Sequence, residues 1–409
     1  MLSLPDTKTL QPQMQSGLYT FPSSATGLVK LDLLFEAGSA YQKKKMCASA
    51  AAKLATVATP TMDSTSLAEF MDYRGILIET DCQVQQSSIT FYFLRRYADD
   101  LIPVASGMLA GMSFSDKDFE TWKKHRRQEV MSALQKPSSI VRRDFYSSLF
   151  GDNHPLGRHA AVNDVDMLTA DEVRRFFDER YKPEYMTVVV AGDIDDRLVG
   201  LITDNIKMSA GPVARPFLPA KATVPATIHH TVMPDATQTA IRVGRVLPMY
   251  WNEQDYAQNM LLTTALGGYF GSRLMSNIRE NKGYTYGIYA RTQIYRGVIL
   301  FYVTTEVASG TAQAAIEEVK RELAKLVEEP MTDEELQLVK TVITGDFLRS
   351  VDGIFERSAR FCDMFSTCVT EQFTDNLREA IATATPQSLQ TIAGKLYHPD
   401  GMTICTAGV

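Results

Sequence analysis

The stretch that decides the fold is Tyr181-Lys-Pro-Glu-Tyr-Met-Thr-Val-Val-Val-Ala-Gly-Asp193, because the chain repeats it as Tyr397-His-Pro-Asp-Gly-Met-Thr-Ile-Cys-Thr-Ala-Gly-Val409. The copies are 397 − 181 = 216 residues apart and agree at six of thirteen positions. In each, a proline ends a helical pattern, and the β-rich apolar run that follows predicts a buried strand. A strand that recurs at this distance indicates two related halves.

Helix-start signals recur at nearly the same offset. Thr169-Ala-Asp-Glu172 precedes the first copy, and Thr385-Pro-Gln-Ser388 precedes the second. Farther upstream, Phe114-Ser-Asp-Lys-Asp118 corresponds to Met331-Thr-Asp-Glu-Glu335 at an offset of 331 − 114 = 217. Each signal places a Ser or Thr where its side chain can cap the first turn of a helix. Three matched signals predict that the two halves are homologous.

The join between the halves is predicted in Met208–Pro219, where glycine and proline concentrate. The halves then span residues 1–210 and 220–409. Strand patterns come in adjacent pairs and helix patterns in runs, which indicates an α+β fold with an antiparallel-rich sheet packed against helices in each half. The main predicted strands are Thr26–Phe35, Ser87–Phe93, Thr239–Arg245, Tyr284–Tyr289 and Val298–Thr305. The main predicted helices are Cys47–Thr56, Leu101–Met112, Asp116–Leu134, Asp171–Arg180, Gln254–Leu266, Ala312–Val327 and Asp333–Phe347.

Composition excludes several classes of protein. The 409 residues are 45% apolar and 22% charged, which is ordinary for a globular protein. The net charge is 42 − 48 = −6 and no long basic run occurs, so nucleic-acid binding is not indicated. No apolar run is long enough to predict a membrane span. The N-terminal sequence has no basic stretch before an apolar core, so we expect a cytoplasmic location unless an export signal was removed. The five widely spaced cysteines fit a reducing compartment.

Several common catalytic motifs are missing from the sequence. It contains neither a G-x-x-x-x-G-K-[ST] phosphate loop nor a G-x-S-x-G nucleophile motif. Gly267-Gly268-x-x-Gly271 resembles part of a dinucleotide loop, but it follows a helix pattern rather than a strand. None of the six histidines stands in H-E-x-x-H or H-x-x-E-H, and His154 and His159 lie five apart in a Pro/Gly turn. We interpret that pair as structural or exposed.

Three segments in combination resemble one peptidase family. They are Asp152-Asn-His-Pro-Leu-Gly-Arg158, the stretch Tyr181–Asp193, and Gly268-Tyr-Phe-Gly-Ser-Arg-Leu274 followed by Ile278-Arg-Glu-Asn-Lys-Gly-Tyr-Thr-Tyr286. The chain resembles the pitrilysin/insulysin-like (inverzincin) metallopeptidases, in the short branch that includes mitochondrial processing peptidase. The resemblance covers nearly the whole chain, and it implies two homologous α+β halves that form a clamshell around an unfolded peptide.

The zinc motif of that family is degenerate here. An active member carries H-x-x-E-H on a helix soon after a strand that ends in a Gly-Ser turn. The strand and turn are present at Leu31–Ser39, but the following helix, Cys47–Thr56, holds no His or Glu. Its best match, Ser49-Ala-Ala-Ala-Lys53, cannot replace two imidazole ligands and a general base. Glu129 matches the family's downstream glutamate ligand, but one carboxylate should not hold zinc tightly, so we expect no metal or other cofactor in this chain.

The second-half signature of the family is retained. The resemblance implies that Arg279 and Tyr286, seven residues apart, hold the substrate carbonyl opposite the zinc, and that Gly267 and Gly268 also contact substrate. A guanidinium and a phenol hydroxyl are suitable donors, because they stabilise an oxyanion when they are preorganised. The residues alone leave another interpretation open, an Arg that satisfies last-turn carbonyls and a Tyr that packs on a sheet.

These observations favour a zinc-free subunit of a two-chain metallopeptidase. Such a chain should be inactive alone, and it should bind unfolded peptide and supply Arg279 and Tyr286 to the zinc site of a homologous partner. The alternative is a non-enzymatic scaffold or peptide-binding protein of the same fold, like the core subunits of the respiratory complex. A third possibility, a zinc peptidase with scattered ligands, is less favoured. An acidic chamber would select basic peptides, but the net charge does not reveal where the charges lie.

Overall fold

The computed structural model describes residues 4–24, 27–209, 211–219, 226–250 and 253–409. It confirms an α+β fold with two sheets, each packed against helices. Three residues at predicted boundaries lie outside the described residues: Thr26, where one predicted strand begins, and Ala210 and Ala220, at the predicted half boundaries.

The first sheet contains β1 (Gln13–Gln15), β2 (Leu18–Pro22), β3 (Leu28–Phe35), β4 (Leu77–Cys82), β5 (Ser87–Leu94) and β6 (Met186–Gly192). The second contains β7 (Ile228–Val232), β8 (Gln238–Leu247), β9 (Thr285–Tyr295), β10 (Val298–Ala308) and β11 (Thr403–Gly408).

The two sheets share the same order of five strands, and the first sheet has β1 as an additional edge strand. The first runs β1-β2-β6-β3-β5-β4, and the second runs β7-β11-β8-β10-β9. In both, the strand of the repeated stretch (β6 or β11) pairs in parallel with one neighbour and antiparallel with the other. The remaining pairs are antiparallel. The repeated stretch therefore occupies the same position in each sheet, while the predicted domain boundaries stay a prediction.

The helices cover the sheets in two groups. The first group is α1 (Cys47–Leu54), α2 (Ser64–Arg74), α3 (Ala98–Leu109), α4 (Asp116–Leu134), α5 (Pro137–Phe150), α6 (Val162–Asp166), α7 (Ala170–Arg180) and α8 (Asp196–Asn205). The second is α9 (Gln254–Gly267), a π-helical segment (Met275–Asn281), α10 (Ala312–Glu328), α11 (Asp333–Arg349), α12 (Ile354–Thr367), α13 (Glu371–Thr383) and α14 (Pro386–Leu396). Ser115, Thr169, Thr332 and Thr385 cap their helices as the sequence predicts. Across the described ranges, no helix is both long and apolar enough to cross a membrane.

One helix from each half packs on the sheet of the other half. The first-half helix α5 packs on β8 and β11 of the second sheet, where Phe145 contacts a buried apolar cluster. The second-half helix α12 packs on β2 and β6 of the first sheet, where Phe361 contacts Tyr19 and Phe21. This reciprocal exchange buries apolar surface from both halves, so each half contributes to the core of the other.

A buried ion pair also links the halves. Arg296, in the β9–β10 turn, lies 2.7 Å from Glu36, the residue after β3. Both are almost fully buried, at 0% and 3% exposure. Glu36 also accepts a hydrogen bond from the Tyr41 hydroxyl at 2.9 Å, and the Arg296 backbone N–H donates to the Gln85 side chain at 2.8 Å. A buried charge needs such partners, so this contact fixes the turn of the second sheet against the first half.

Candidate functional site

The predicted pair Arg279 and Tyr286 lies where the π-helical segment meets the second sheet. Arg279 is in Met275–Asn281, and Tyr286 is the second residue of β9, the edge strand of its sheet. Gly283 makes the turn between them with a φ of 65°, and its N–H donates to the Arg279 carbonyl at 3.1 Å. π-Helical turns are rare and frequently occur at functional sites.

A β-bulge sets the direction of the Tyr286 side chain. The register between β9 and β10 shifts here, because Ile288 faces Thr305 whereas Thr285 faces Val307. Two residues of β9, Tyr286 among them, therefore oppose one residue of β10. Bulges of this kind redirect a side chain at a sheet edge and are frequent beside active sites. Tyr286 is 91% exposed and does not pack on the sheet, which argues against the purely structural interpretation of this residue.

Three side chains form what we call the Arg279 cluster: Phe270, Arg279 and Tyr286. The guanidinium carbon of Arg279 lies 4.3 Å from the centre of the Phe270 ring and 5.4 Å from that of Tyr286. Phe270 is itself 60% exposed. In the described part of the chain, the guanidinium forms no ion pair, so its N–H groups can donate to an incoming oxygen. Phe270 was not predicted, although it lies in the quoted segment Gly268–Leu274.

The backbone that carries Arg279 is firmly anchored. Arg273, just before the π-helical segment, forms two hydrogen bonds with Glu335 of α11 at 2.7 and 2.8 Å, which raise the pKa of its guanidinium. Asn277 donates to Glu318 at 3.0 Å and to Glu322 at 2.8 Å, and the first of these bonds lowers the pKa of Glu318. These contacts fix the helical segment on two neighbouring helices, which favours preorganised donors.

The two glycines predicted to contact substrate have packing roles. Gly267 is buried at the end of α9, and a Cβ there would collide with the backbone of Ala290 in β9. A Cβ on Gly268 would collide with Thr264, one turn earlier in α9. Close approach of α9 to β9, the strand that carries Tyr286, therefore requires a glycine. Contact of either glycine with substrate stays a prediction.

The position expected for zinc is a cleft in the first half. The cleft has a volume of about 660 Å³ and is bordered by α1, β4 and α4. Ser49, Ala52 and Lys53 line it from α1, where the family motif would place its two histidines and glutamate. The Ser49 hydroxyl donates to the Met46 carbonyl at 3.1 Å, within its own helix. The strand, turn and helix that the sequence predicts here are therefore present, and Ser49, Ala52 and Lys53 line the cleft from that helix.

The side chains around this cleft do not fit a zinc ion. Glu129 lines the cleft, but it is exposed and forms an ion pair with Arg126 at 2.8 Å. Cys82 also lines it, and burial raises the pKa of this thiol to about 11, which disfavours the thiolate that metals require. Among the described residues, no three His, Cys, Asp or Glu side chains converge as a metal site would need.

We predict that the purified chain carries no stoichiometric zinc. The physical reason is that Ser49, Ala52 and Lys53 provide neither imidazole ligands nor a general base. The measurement is elemental analysis of protein purified without chelator and without a metal-affinity tag. One tightly bound zinc per chain that disappears in Glu129→Ala would show that this interpretation of the cleft is wrong.

The sequence of this chain is similar to those of several known proteins. The sequence pattern described as "Peptidase M16 inactive domain" matches residues 167–343, which include the Arg279 cluster. An uncharacterized zinc protease of Streptomyces coelicolor is 28% identical over 322 residues, which cover 74% of this chain and 68% of that protein. The non-peptidase homolog YmxG of Helicobacter pylori is 25% identical over 328 residues, which cover 77% of this chain and 74% of that protein.

A solved structure shares the whole architecture. The crystal structure described as a peptidase M16 inactive domain from Pseudomonas fluorescens matches with a TM-score of 0.86, over 97% of this chain and 98% of that one. Sequence identity is 18%, so this likeness concerns the fold alone. The predicted two-half clamshell is therefore confirmed as the fold of this chain.

Proposed function

This chain belongs to the M16 family of pitrilysin/insulysin-like peptidases, and on that premise we propose that it is the zinc-free subunit of a two-chain metallopeptidase. In this proposal a homologous partner with an intact H-x-x-E-H motif holds the zinc. This chain binds unfolded peptide with the partner and contributes Arg279 and Tyr286. The observation that carries the proposal is the contrast between an exposed Arg279 cluster and a first-half cleft without zinc ligands.

The chemical role of the pair follows from its donor groups. The Arg279 guanidinium and the Tyr286 hydroxyl would donate hydrogen bonds to the peptide carbonyl oxygen as negative charge develops on it. Donors that are fixed before the reaction stabilise the transition state more than the ground state. Their anchoring by the π-helical segment and the β-bulge supports this role.

Five free cysteines support the expected cytoplasmic location as part of the same proposal. Cys47, Cys362 and Cys405 are buried, and none of the five forms a disulfide. Unpaired cysteines are typical of a reducing compartment.

The test is reconstitution with an H-x-x-E-H homologue from the same organism. We expect that neither chain alone cleaves an unfolded reporter peptide and that the equimolar mixture does. The mixture should also elute as one complex on size exclusion with light scattering. A mixture in which the partner's motif glutamate is replaced by glutamine is the control and should be inactive. Full cleavage by the partner alone would contradict the proposal.

A scaffold or peptide-binding role without catalysis is the second candidate. The 25% identity to a chain named a non-peptidase homolog favours it. It predicts that the complex and peptide binding form as above, but that the mixture gains no cleavage activity. The same reconstitution therefore separates the two candidates.

A further inference from the structure

A second cavity contains an unusual concentration of positive charge. It has a volume of about 380 Å³ and lies between α4, α5 and the loop that follows α5, with Tyr295 reaching it from the second half. We name it the arginine pocket. Its basic lining residues are Arg126, Arg142, Arg143, Arg158 and His159. The other described lining residues are apolar or carry a hydroxyl, and no carboxylate is among them.

Two of the four arginines form ion pairs with carboxylates outside the lining. Arg126 pairs with Glu129 at 2.8 Å, and Arg143 pairs with Asp144 at 2.9 Å. Both partners are on the same helix as the arginine they pair with, three residues and one residue away. The positive charge of these two groups is therefore partly compensated before any ligand enters.

The other two arginines lack such compensation. Within the described residues, neither Arg142 nor Arg158 forms an ion pair with a carboxylate. Arg158 donates to the carbonyl of Asn153 at 3.0 Å, and the guanidinium of Arg142 lies 6.0 Å from the Tyr146 ring centre. A guanidinium retains several unused donors after one such contact, and its geometry suits bidentate binding of a carboxylate.

His159 adds a polar ring nitrogen to the pocket. Its Nε2 atom is buried and has no hydrogen-bond partner in the described part of the chain. Burial lowers the pKa of His159; among its charged neighbours, Arg143 and Arg142 lower this pKa, whereas Asp152 and Asp144 raise it. A buried polar nitrogen without a partner is costly, so a ligand that reaches this nitrogen would satisfy it.

The loop that carries Arg158 and His159 has a fixed shape. A Cβ on Gly157 would collide with the carbonyl oxygen of Gly151, so the loop closes on itself only with glycine at that position. His154 stacks on Phe150, and its Nδ1 accepts a hydrogen bond from the Leu156 N–H at 3.1 Å. The pocket side chains are therefore held on a rigid support, which lowers the entropy cost of binding.

The pocket lies beside the cleft at the expected zinc position. Arg126 lines both cavities, and Tyr295 of the second half closes the pocket by a hydroxyl–hydroxyl contact with Tyr146 at 2.9 Å. A peptide that occupies the cleft can therefore place a neighbouring group in the pocket. A cavity lined by one sign of charge attracts the opposite charge.

We infer that the arginine pocket is a subsite for a carboxylate of the bound peptide. This inference rests on the proposed peptide-binding function. Two sources provide the same chemistry, the side chain of an acidic residue and the C-terminal carboxylate. Arg142 and Arg158 are the principal ligands because they are the two uncompensated guanidinium groups. The chain then prefers acidic peptides, in contrast to the basic peptides that an acidic chamber would select.

The test compares four forms of one fluorescein-labelled unfolded peptide. They carry Glu or Gln at one internal position, and a free carboxyl or an amide at the C-terminus. Fluorescence anisotropy with the full chain gives each Kd. We expect an acidic form to bind about tenfold or more tightly than the doubly neutral form. A Glu-dependent gain identifies the side chain as the source, and an amide-sensitive gain identifies the terminus.

The variant that tests the pocket combines Arg142→Gln and Arg158→Gln. It should remove the preference for the acidic form, so that acidic and neutral peptides bind with equal Kd. The matched control combines Arg96→Gln and Arg349→Gln, which make the same change in net charge elsewhere, and it should keep the preference. Equal binding of acidic and neutral peptides by the unaltered chain overturns the subsite alone. Failure of every peptide to bind, both to this chain alone and to the reconstituted complex, overturns the proposed function as well.

Discussion

Replacement of Tyr286 by phenylalanine is expected to lower the kcat of the reconstituted pair by about 10²–10³, the usual effect of losing one oxyanion donor. The substitution removes only the hydroxyl and keeps the ring that lies near Arg279. Arg279→Ala should cause a loss of similar size. KM should change less in both variants, because these hydrogen bonds form chiefly in the transition state. The measurement is steady-state peptide cleavage by the mixed subunits.

The control for this prediction is Tyr73→Phe. Tyr73 is 84% exposed on α2, so its hydroxyl is comparable in exposure and is remote from β9 in the sequence. This variant should match the unaltered pair in kcat, and light scattering should show that all variants still form the complex. Unchanged kcat in Tyr286→Phe and in Arg279→Ala would favour the scaffold role instead.

The second large expected effect is on the free energy of unfolding, and it concerns the buried ion pair between the halves. Glu36→Gln should lower the free energy of unfolding by about 3–5 kcal/mol, because it leaves the buried Arg296 guanidinium without its counter-charge. Denaturant unfolding followed by circular dichroism measures this change. The double variant Glu36→Gln/Arg296→Met should be less destabilised than the sum of the single variants, because it no longer buries a lone charge.

An exposed ion pair supplies the matched control for stability. Arg197 and Asp99 are 2.9 Å apart, similar to the 2.7 Å of the buried pair, but both are largely exposed to solvent. Asp99→Asn should therefore change the free energy of unfolding by at most about 1 kcal/mol. Equal effects of Asp99→Asn and Glu36→Gln would contradict the importance that we assign to the buried contact.

Local signals in the sequence predicted much of the fold. The capping residues Ser115 and Thr385 begin helices where expected, and the buried runs Met186–Gly192 and Thr403–Gly408 are strands. These features depend on side chains within a few residues of the backbone that they affect. Similarly, the placement of Arg279 before a turn and Tyr286 after it depends on the local sequence around Gly283.

Contacts between distant segments could not be predicted in this way. Lys30 and Asp32 alternate with apolar residues in β3, a pattern typical of a solvent-facing sheet surface. Both are buried instead, 2.8 Å apart, because α12 from the second half covers that surface and Ser358 donates to Asp32. The crossing of α5 and α12 depends on packing between segments that lie from 238 − 150 = 88 to 354 − 22 = 332 residues apart along the chain.

The candidate site likewise combines features that depend on local sequence with features that depend on contacts between distant segments. The family resemblance predicts the role of Arg279 and Tyr286, which stays a prediction, but the bulge at Tyr286 arises from pairing with β10. Phe270 joins the cluster because the loop after α9 folds back toward Arg279. The arginine pocket brings together residues from α4, α5 and a loop, and no single stretch of sequence contains its pattern.

The central claim is that this chain completes the active site of a zinc-bearing partner. It is tested most directly by adding increasing amounts of the chain to a fixed amount of the H-x-x-E-H partner and measuring the initial rate of peptide cleavage. The account predicts a rate that rises from near zero and becomes constant at one chain per partner. With Tyr286→Phe, the rate should become constant at the same ratio but at a value lower by about 10²–10³. A cleavage rate that does not depend on the amount of this chain would contradict the account.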